Sequence, residues 1–280
     1  MWIIYSLLSA LFAGYKQIFE KRIINKVPIL NLCFYQTLLV SIFILPFAFI
    51  NGLKISFNLL LILYIVSWFS VLSSILLYKA VKKNEISSTV PFLNLSPIFM
   101  IFIGYIFLKE IPNIIQIFGI IIIVIGAIAL GMKKTDNFSR FFNKYVWYVI
   151  ITALIWGTQG VIFRYIMSEI PPFTTLTYFN LFCLFNTFLI IIFTKKIHEL
   201  KIKKMNLIFI SSILSSCSLI FIFLALAHPL GLAALAVALR RTSTLVSTII
   251  GGRFFKENNL KQKIFACLIM LIGVFIISIG

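Results

Sequence analysis

Gly104-Tyr-Ile-Phe-Leu-Lys-Glu110 returns 147 positions later as Gly251-Gly-Arg-Phe-Phe-Lys-Glu257. The same offset carries Phe118 onto Phe265 and Ile125-Gly126 onto Ile272-Gly273. Nearer the start, Ala10-Leu11 and Gly14 match Ala153-Leu154 and Gly157 at an offset of 143, which also places Tyr35 on Tyr178. Ordered matches at nearly one offset mark a duplicated chain. The expected units are residues 1–135 and 136–280.

Composition says what kind of unit is repeated. The 280 residues are 61% hydrophobic and 11% charged, with mean hydropathy +1.10. Soluble domains are about 45–50% apolar and about 25% charged. A globule of this length has too little interior to bury so much apolar surface, and a bilayer supplies the missing solvent. A membrane span needs about 20 mostly apolar residues. Ten such stretches are present: 2–20, 28–50, 58–80, 87–108, 114–132, 145–166, 173–193, 206–227, 231–254 and 263–280. Each half holds five, an odd number, so the second copy enters the membrane from the opposite face. The expected fold is an all-α membrane protein with ten transmembrane helices in two inverted-topology five-helix repeats. Repeats of that kind place a substrate site near the midplane, where the halves meet.

The net charge of +18 is distributed unevenly. Nineteen basic residues fall in the odd-numbered loops, among them Lys21, Arg22, Lys82, Lys83, Lys133, Lys195 and Lys204, and three lie on the other side (Lys54, Lys109, Arg164). By the positive-inside rule the odd loops are cytoplasmic and both termini lie outside, in a multi-pass protein of the plasma membrane. The basic loops are short and sit at helix ends, which argues against nucleic acid as a partner. The first stretch lacks a basic leader and a small-residue cleavage site, so it is expected to be a retained helix. Cys33, Cys183, Cys217 and Cys267 lie in different spans without metal-ligand spacing and are expected to be packing residues. His198 and His228 have no metal-like partner, no phosphate-binding Gly-Lys-Ser/Thr loop occurs, and no nucleophile–base constellation appears. No metal, no cofactor and no enzymatic activity are expected.

The chemistry concentrates in residues 232–251, where Arg240 and Arg241 interrupt a stretch otherwise apolar enough to span. An ionised side chain at that depth costs about 2.5–3.5 kcal/mol on insertion scales. Such a residue faces water, a partner or a ligand, or it anchors a broken helix by bonding backbone carbonyls. The guanidinium fork suits two-point contact with carboxylate or phosphate. Arg240, Thr244, Ser247 and Gly251 recur at spacings of four, three and four, which is expected to put them on one face of a helix. In the fourth span Pro91 and Pro97 are expected to bend the helix and free carbonyls near Asn94 and Ser96. Lys16 and Gln159 are equivalent under the 143 offset; Lys16 either reaches the surface or pairs with Glu20 one turn on. Trp68 and Trp156 offer flat surfaces for an apolar part of a cargo, and Ser211, Ser212, Ser215 and Ser216 suit close helix packing. All seven acidic residues fall at span ends or in loops on this reading, which disfavours coupling through a buried carboxylate and favours facilitated transport or exchange.

The Lys109-Glu110 and Lys256-Glu257 pairs, the Ile-Gly pairs of the fifth spans, and Trp156-Gly157 opening the second copy resemble the EamA-like branch of the drug/metabolite transporter superfamily. The resemblance covers the whole chain. It implies that the first, third and fourth helices of each half surround a central cavity, with the second helices outside and the fifth to one side. Two departures stand out: Ala13-Gly14 where the second copy has Trp156-Gly157, and a charge pattern opposite to the cytoplasmic termini drawn for related transporters. The function expected is transport of a small polar metabolite carrying a carboxylate or phosphate, by alternating access, in a monomer or homodimer within the lipid bilayer. Its candidate binding residues are Arg240, Arg241, Lys16, Gln159, Trp68, Asn94, Thr244 and Ser247. The alternatives are an exporter of lipophilic or cationic compounds and a non-transport membrane-embedded enzyme.

Overall fold

A computed structural model describes residues 1–84, 90–109, 111–131, 144–195, 204–229, 233–255 and 260–279. Glu85, Glu110, Asp136, Glu199, most of the basic residues of loops five and seven, and the Lys256-Glu257 pair lie outside the described residues. What is described is helical, with no strand. In a bilayer core no water meets an unpaired backbone group, so a greasy segment pairs its own N–H and C=O groups within a helix.

The helices are α1 (Trp2–Ile24), α2 (Ile29–Asn51), α3 (Phe57–Lys83), α4 (Ser96–Leu108), α5 (Ile114–Gly131), α6 (Lys144–Glu169), α7 (Pro172–Phe193), α8 (Met205–Ala227), α9 (Ala233–Arg240), α10 (Ser243–Phe254) and α11 (Leu260–Ile279). They occupy the ten expected spans. The fourth span opens as a 3-10 helix, Val90–Leu95, with Pro97 in the first turn of α4, and the ninth is split into α9 and α10. Among the described residues six segments are long and apolar enough to cross a membrane, and Phe92–Phe107, Ile114–Gly126 and Ile264–Ile277 are shorter apolar helices. Helix α1, which carries Lys16, Gln17 and Glu20, is not among the six.

Helices pack mostly on helices distant in sequence: α1 along α8 and α10, α6 along α3 and α4, α2 on α7, and α5 on α11. Lipid gives apolar faces no reason to associate, so close approach and polar contacts set these pairings. Ser9 Oγ donates to the Ser218 carbonyl at 2.8 Å, Thr152 Oγ1 to the Ser73 carbonyl at 3.2 Å, and Asn186 Nδ2 to Ser67 Oγ at 2.7 Å. A Cβ on Gly14 would stand 2.5 Å from Val246 Cβ and 2.8 Å from the Ser243 carbonyl. One on Gly157 would stand 2.8 Å from the Ser96 carbonyl and 2.9 Å from Phe99 Cβ. Gly119 and Gly273 bring α5 and α11 together in the same way. The faces turned outward are apolar, as Phe102, Phe107, Phe118, Phe265 and Phe275 illustrate.

Candidate functional site: a cationic cavity between the helices

A cavity of about 190 Å³ lies between α1, α2, α3, α6, α7, α8 and the end of α9. Two stripes at helical spacing form much of its wall: Cys33, Gln36, Thr37 and Val40 on α2, and Phe179, Asn180, Cys183 and Thr187 on α7. This corrects the expectation that the second helices pack outside the cavity. Helices α2 and α7 lie against each other, and their hydroxyl, amide and thiol groups turn away from lipid. No residue of α4 is in the lining; α4 acts on the cavity through Ser96 instead. Cys33 and Cys183, expected as packing residues, line the space.

Four of the eight candidate residues meet here: Lys16, Gln159, Arg240 and Arg241. Arg241 is 5% exposed; its Nε donates to Ser96 Oγ at 3.0 Å and its guanidinium carbon lies 5.1 Å from the centre of the Trp156 ring. Those two contacts hold the fork's plane. Among the described residues they leave Nη1 and Nη2 of Arg241 to the cavity. Arg240 makes one long contact, Nη2 to Ser218 Oγ at 3.4 Å. The partners are hydroxyls and an indole face, not the backbone carbonyls that an anchoring role calls for. Gln159 Nε2 donates to the Val66 carbonyl at 3.2 Å, and Trp156 Nε1 to Ser73 Oγ at 3.0 Å.

The other four do not line the cavity. Trp68 is half-buried on α3. Asn94 is fully buried in the 3-10 segment. Thr244 Oγ1 donates to the Arg241 carbonyl at 2.9 Å and contacts Met270 Sδ, while Ser247 Oγ donates to the Thr244 carbonyl at 3.2 Å. The single face expected for Arg240, Thr244, Ser247 and Gly251 does not form, because the helix breaks between α9 and α10. Thr242, Thr244 and Leu245 N–H groups bond to carbonyls three residues back, at 3.1, 3.0 and 2.8 Å. That tighter winding, with hydroxyls bonding back to i−3, turns the later residues out of register.

Glu20 corrects the reading of the acidic residues. It is 6% exposed inside α1, which runs on to Ile24. Its Oε1 accepts from Gln36 Nε2 at 2.8 Å and from the Tyr78 hydroxyl at 2.7 Å, and pairs with Lys16 Nζ at 3.3 Å. Donors from α2 and α3 replace the water a span-end carboxylate would otherwise need. Tyr78→Phe is expected to lower stability by about 1.5–3 kcal/mol, the worth of a hydrogen bond to a charged group. Unfolding of purified protein in detergent checks this, with half-buried Tyr35→Phe as a control expected to change little.

Fold and cavity together define a multi-pass helical membrane protein with a polar, cation-lined interior. A family model for the EamA-like transporter family matches residues 1–132 and 143–279. The chain belongs to the EamA-like transporter family, within the drug/metabolite transporter superfamily, and is an integral membrane transporter of small molecules. An uncharacterised protein of Methanocaldococcus jannaschii is 30% identical over 138 residues, covering 47% of this chain and 97% of that protein. A protein of known crystal structure superposes with a TM-score of 0.72 at 14% identity, covering 97% of this chain and 96% of the other, a likeness of fold alone.

Proposed function

We propose that the chain carries a small metabolite bearing a carboxylate or phosphate, by alternating access, through the cavity between two inverted five-helix halves, 1–135 and 136–280. The observation that carries the substrate reading is the pair of guanidiniums on the cavity wall, with no Asp or Glu among the described lining residues. An anionic cargo offsets what the protein leaves uncompensated, and a lipophilic cation would meet Arg240 and Arg241 as repulsion, while the Lys16 charge is balanced by Glu20.

The halves are supported by contacts that repeat under the sequence offsets. Gly14 on Ser243 and Val246 has its counterpart in Gly157 on Ser96 and Phe99. Ser9 on the Ser218 carbonyl resembles Thr152 on the Ser73 carbonyl, with the donors 143 residues apart and the acceptors 145. The family match falls in two parts, and the archaeal relative is about half this chain's length. Arg240 and Arg241 stand where the first copy has Leu93 and Asn94, and Trp156 where it has Ala13. The copies agree on packing and diverge at the cavity, which is where a cargo would impose its own chemistry.

The test is a thermal-stability screen of purified protein against amino acids, organic acids, sugar phosphates, nucleotide sugars and lipophilic cations. A ligand that binds the folded state raises its melting temperature by mass action. Stabilisation by anions is expected, and stabilisation by lipophilic cations alone would overturn the anion reading.

A further inference from the structure

The same offset of 143 that relates Gly14 to Gly157 relates Lys21 to Arg164, and both cations do the same job. Lys21, near the end of α1, donates Nζ to the Val81 and Asn84 carbonyls at 3.3 and 3.1 Å, at the end of α3. Arg164, near the end of α6, donates Nη1 to the Leu226 carbonyl and to the His228 carbonyl at 2.9 Å, at the end of α8. The last carbonyls of a helix lack intrahelical partners and form the negative pole of its dipole, so a cation is a matched ligand for them.

The two contacts lie at opposite ends of the molecule. Along the α3–α6 seam, Thr152 meets Ser73 while Gln159 meets Val66, so these helices run antiparallel. The end of α6 therefore lies beside the start of α3, away from Lys21. Both contacts also cross the same division. Helix α1 packs along α8, α9 and α10, while α6 packs along α3 and α4. Lys21 reaches from the α1 group to α3, and Arg164 reaches from the α6 group to α8. The cavity lies between the two groups, with Lys16 and Arg240 on one side and Trp156 and Gln159 on the other.

We propose that Lys21 and Arg164 are equivalent latches, one at each end of the cavity, that hold the two helix groups together wherever that end is closed. The proposal rests on the carrier reading above. Opening an end parts the groups there and leaves the helix-end carbonyls to water. Each latch then weights the equilibrium toward closure of its own end, and cargo binding at the arginines acts between them.

Cys33 and Cys183 line the cavity and make native reporters of which end is open. With Cys183 as the single remaining cysteine, an impermeant maleimide is applied to right-side-out and to inverted membrane vesicles. Lys21→Met is expected to speed labelling severalfold from the Lys21 face alone, and Arg164→Met from the opposite face alone. Lys21→Arg and Arg164→Lys, which keep the cation, should restore the parent rates. Faster labelling from the same face for both variants overturns the latches, as does an unchanged rate in folded protein. A methionine variant that fails to fold, with its conservative partner labelled like the methionine variant of the other end, overturns them as well. Anion flux in the same vesicles separates the two ideas: sided labelling without flux keeps the latches and removes the carrier reading, and flux with unsided labelling does the reverse.

Discussion

Replacing Arg240 and Arg241 together with leucine is expected to reduce transport to background while the protein still inserts and folds. Hydrogen bonds to charged groups contribute about 1.5–3 kcal/mol each, so losing one from each guanidinium removes about 3 kcal/mol or more of cargo binding. At about 1.4 kcal/mol per tenfold, that is roughly a hundredfold loss or greater. Stability should hold, because no described carboxylate depends on either arginine. The partners left behind are Ser96, Ser218 and the face of Trp156. Leucine also relieves the desolvation of a buried cation at Arg241 and a half-buried one at Arg240. Uptake into proteoliposomes, beside a melting curve for the same protein, checks both halves of the expectation. Unchanged uptake removes the anion clamp.

Gly157→Ala is the second large effect. The added Cβ would sit 2.8 Å from the Ser96 carbonyl, 2.9 Å from Phe99 Cβ and 3.2 Å from the Met100 amide. Two of those atoms are backbone and cannot swing aside, so α4 must shift. Overpacking of this kind costs about 1–3 kcal/mol. The shift moves Ser96, which fixes Arg241, so transport should fall beyond the loss of folded protein. Gly14→Ala, against Val246 and Ser243, is expected to destabilise similarly without touching Ser96. Gly104→Ala is the contrast: its nearest neighbour is Val161 Cγ2 at 3.9 Å. It should be tolerated, or gain up to about 1 kcal/mol from the better helix propensity of alanine. Denaturation of the three variants side by side checks the ranking.

The helices were legible because the bilayer asks for long apolar segments and the chain supplies them with little ambiguity. The arginine pair was legible for the converse reason, since guanidiniums in a greasy segment have few explanations. The break between α9 and α10 was not, because hydroxyl residues after Arg241 fit a continuous helix as well as a tightened turn. Trp68, Thr244 and Ser247 were placed in the site by residue type and helical spacing, and packing turns them elsewhere. The burial of Glu20 depends on Tyr78 and Gln36 arriving from other helices, a long-range fact that local sequence does not carry. The α2 and α7 stripes had a signal, polar residues at Gln36 and Thr37 and at Asn180, Cys183 and Thr187. It competes with hydroxyls that merely bond their own helix, as Thr187 does to the Cys183 carbonyl at 2.7 Å.

The most direct measurement is an experimental structure of the carrier with the strongest stabilising ligand bound. The account predicts the ligand's anionic group against the guanidinium Nη atoms of Arg240 and Arg241, with the rest of the molecule between Gln159 and the α2 and α7 stripes. A ligand seated elsewhere, or guanidiniums bonded only to protein carbonyls beside an empty cavity, would contradict it.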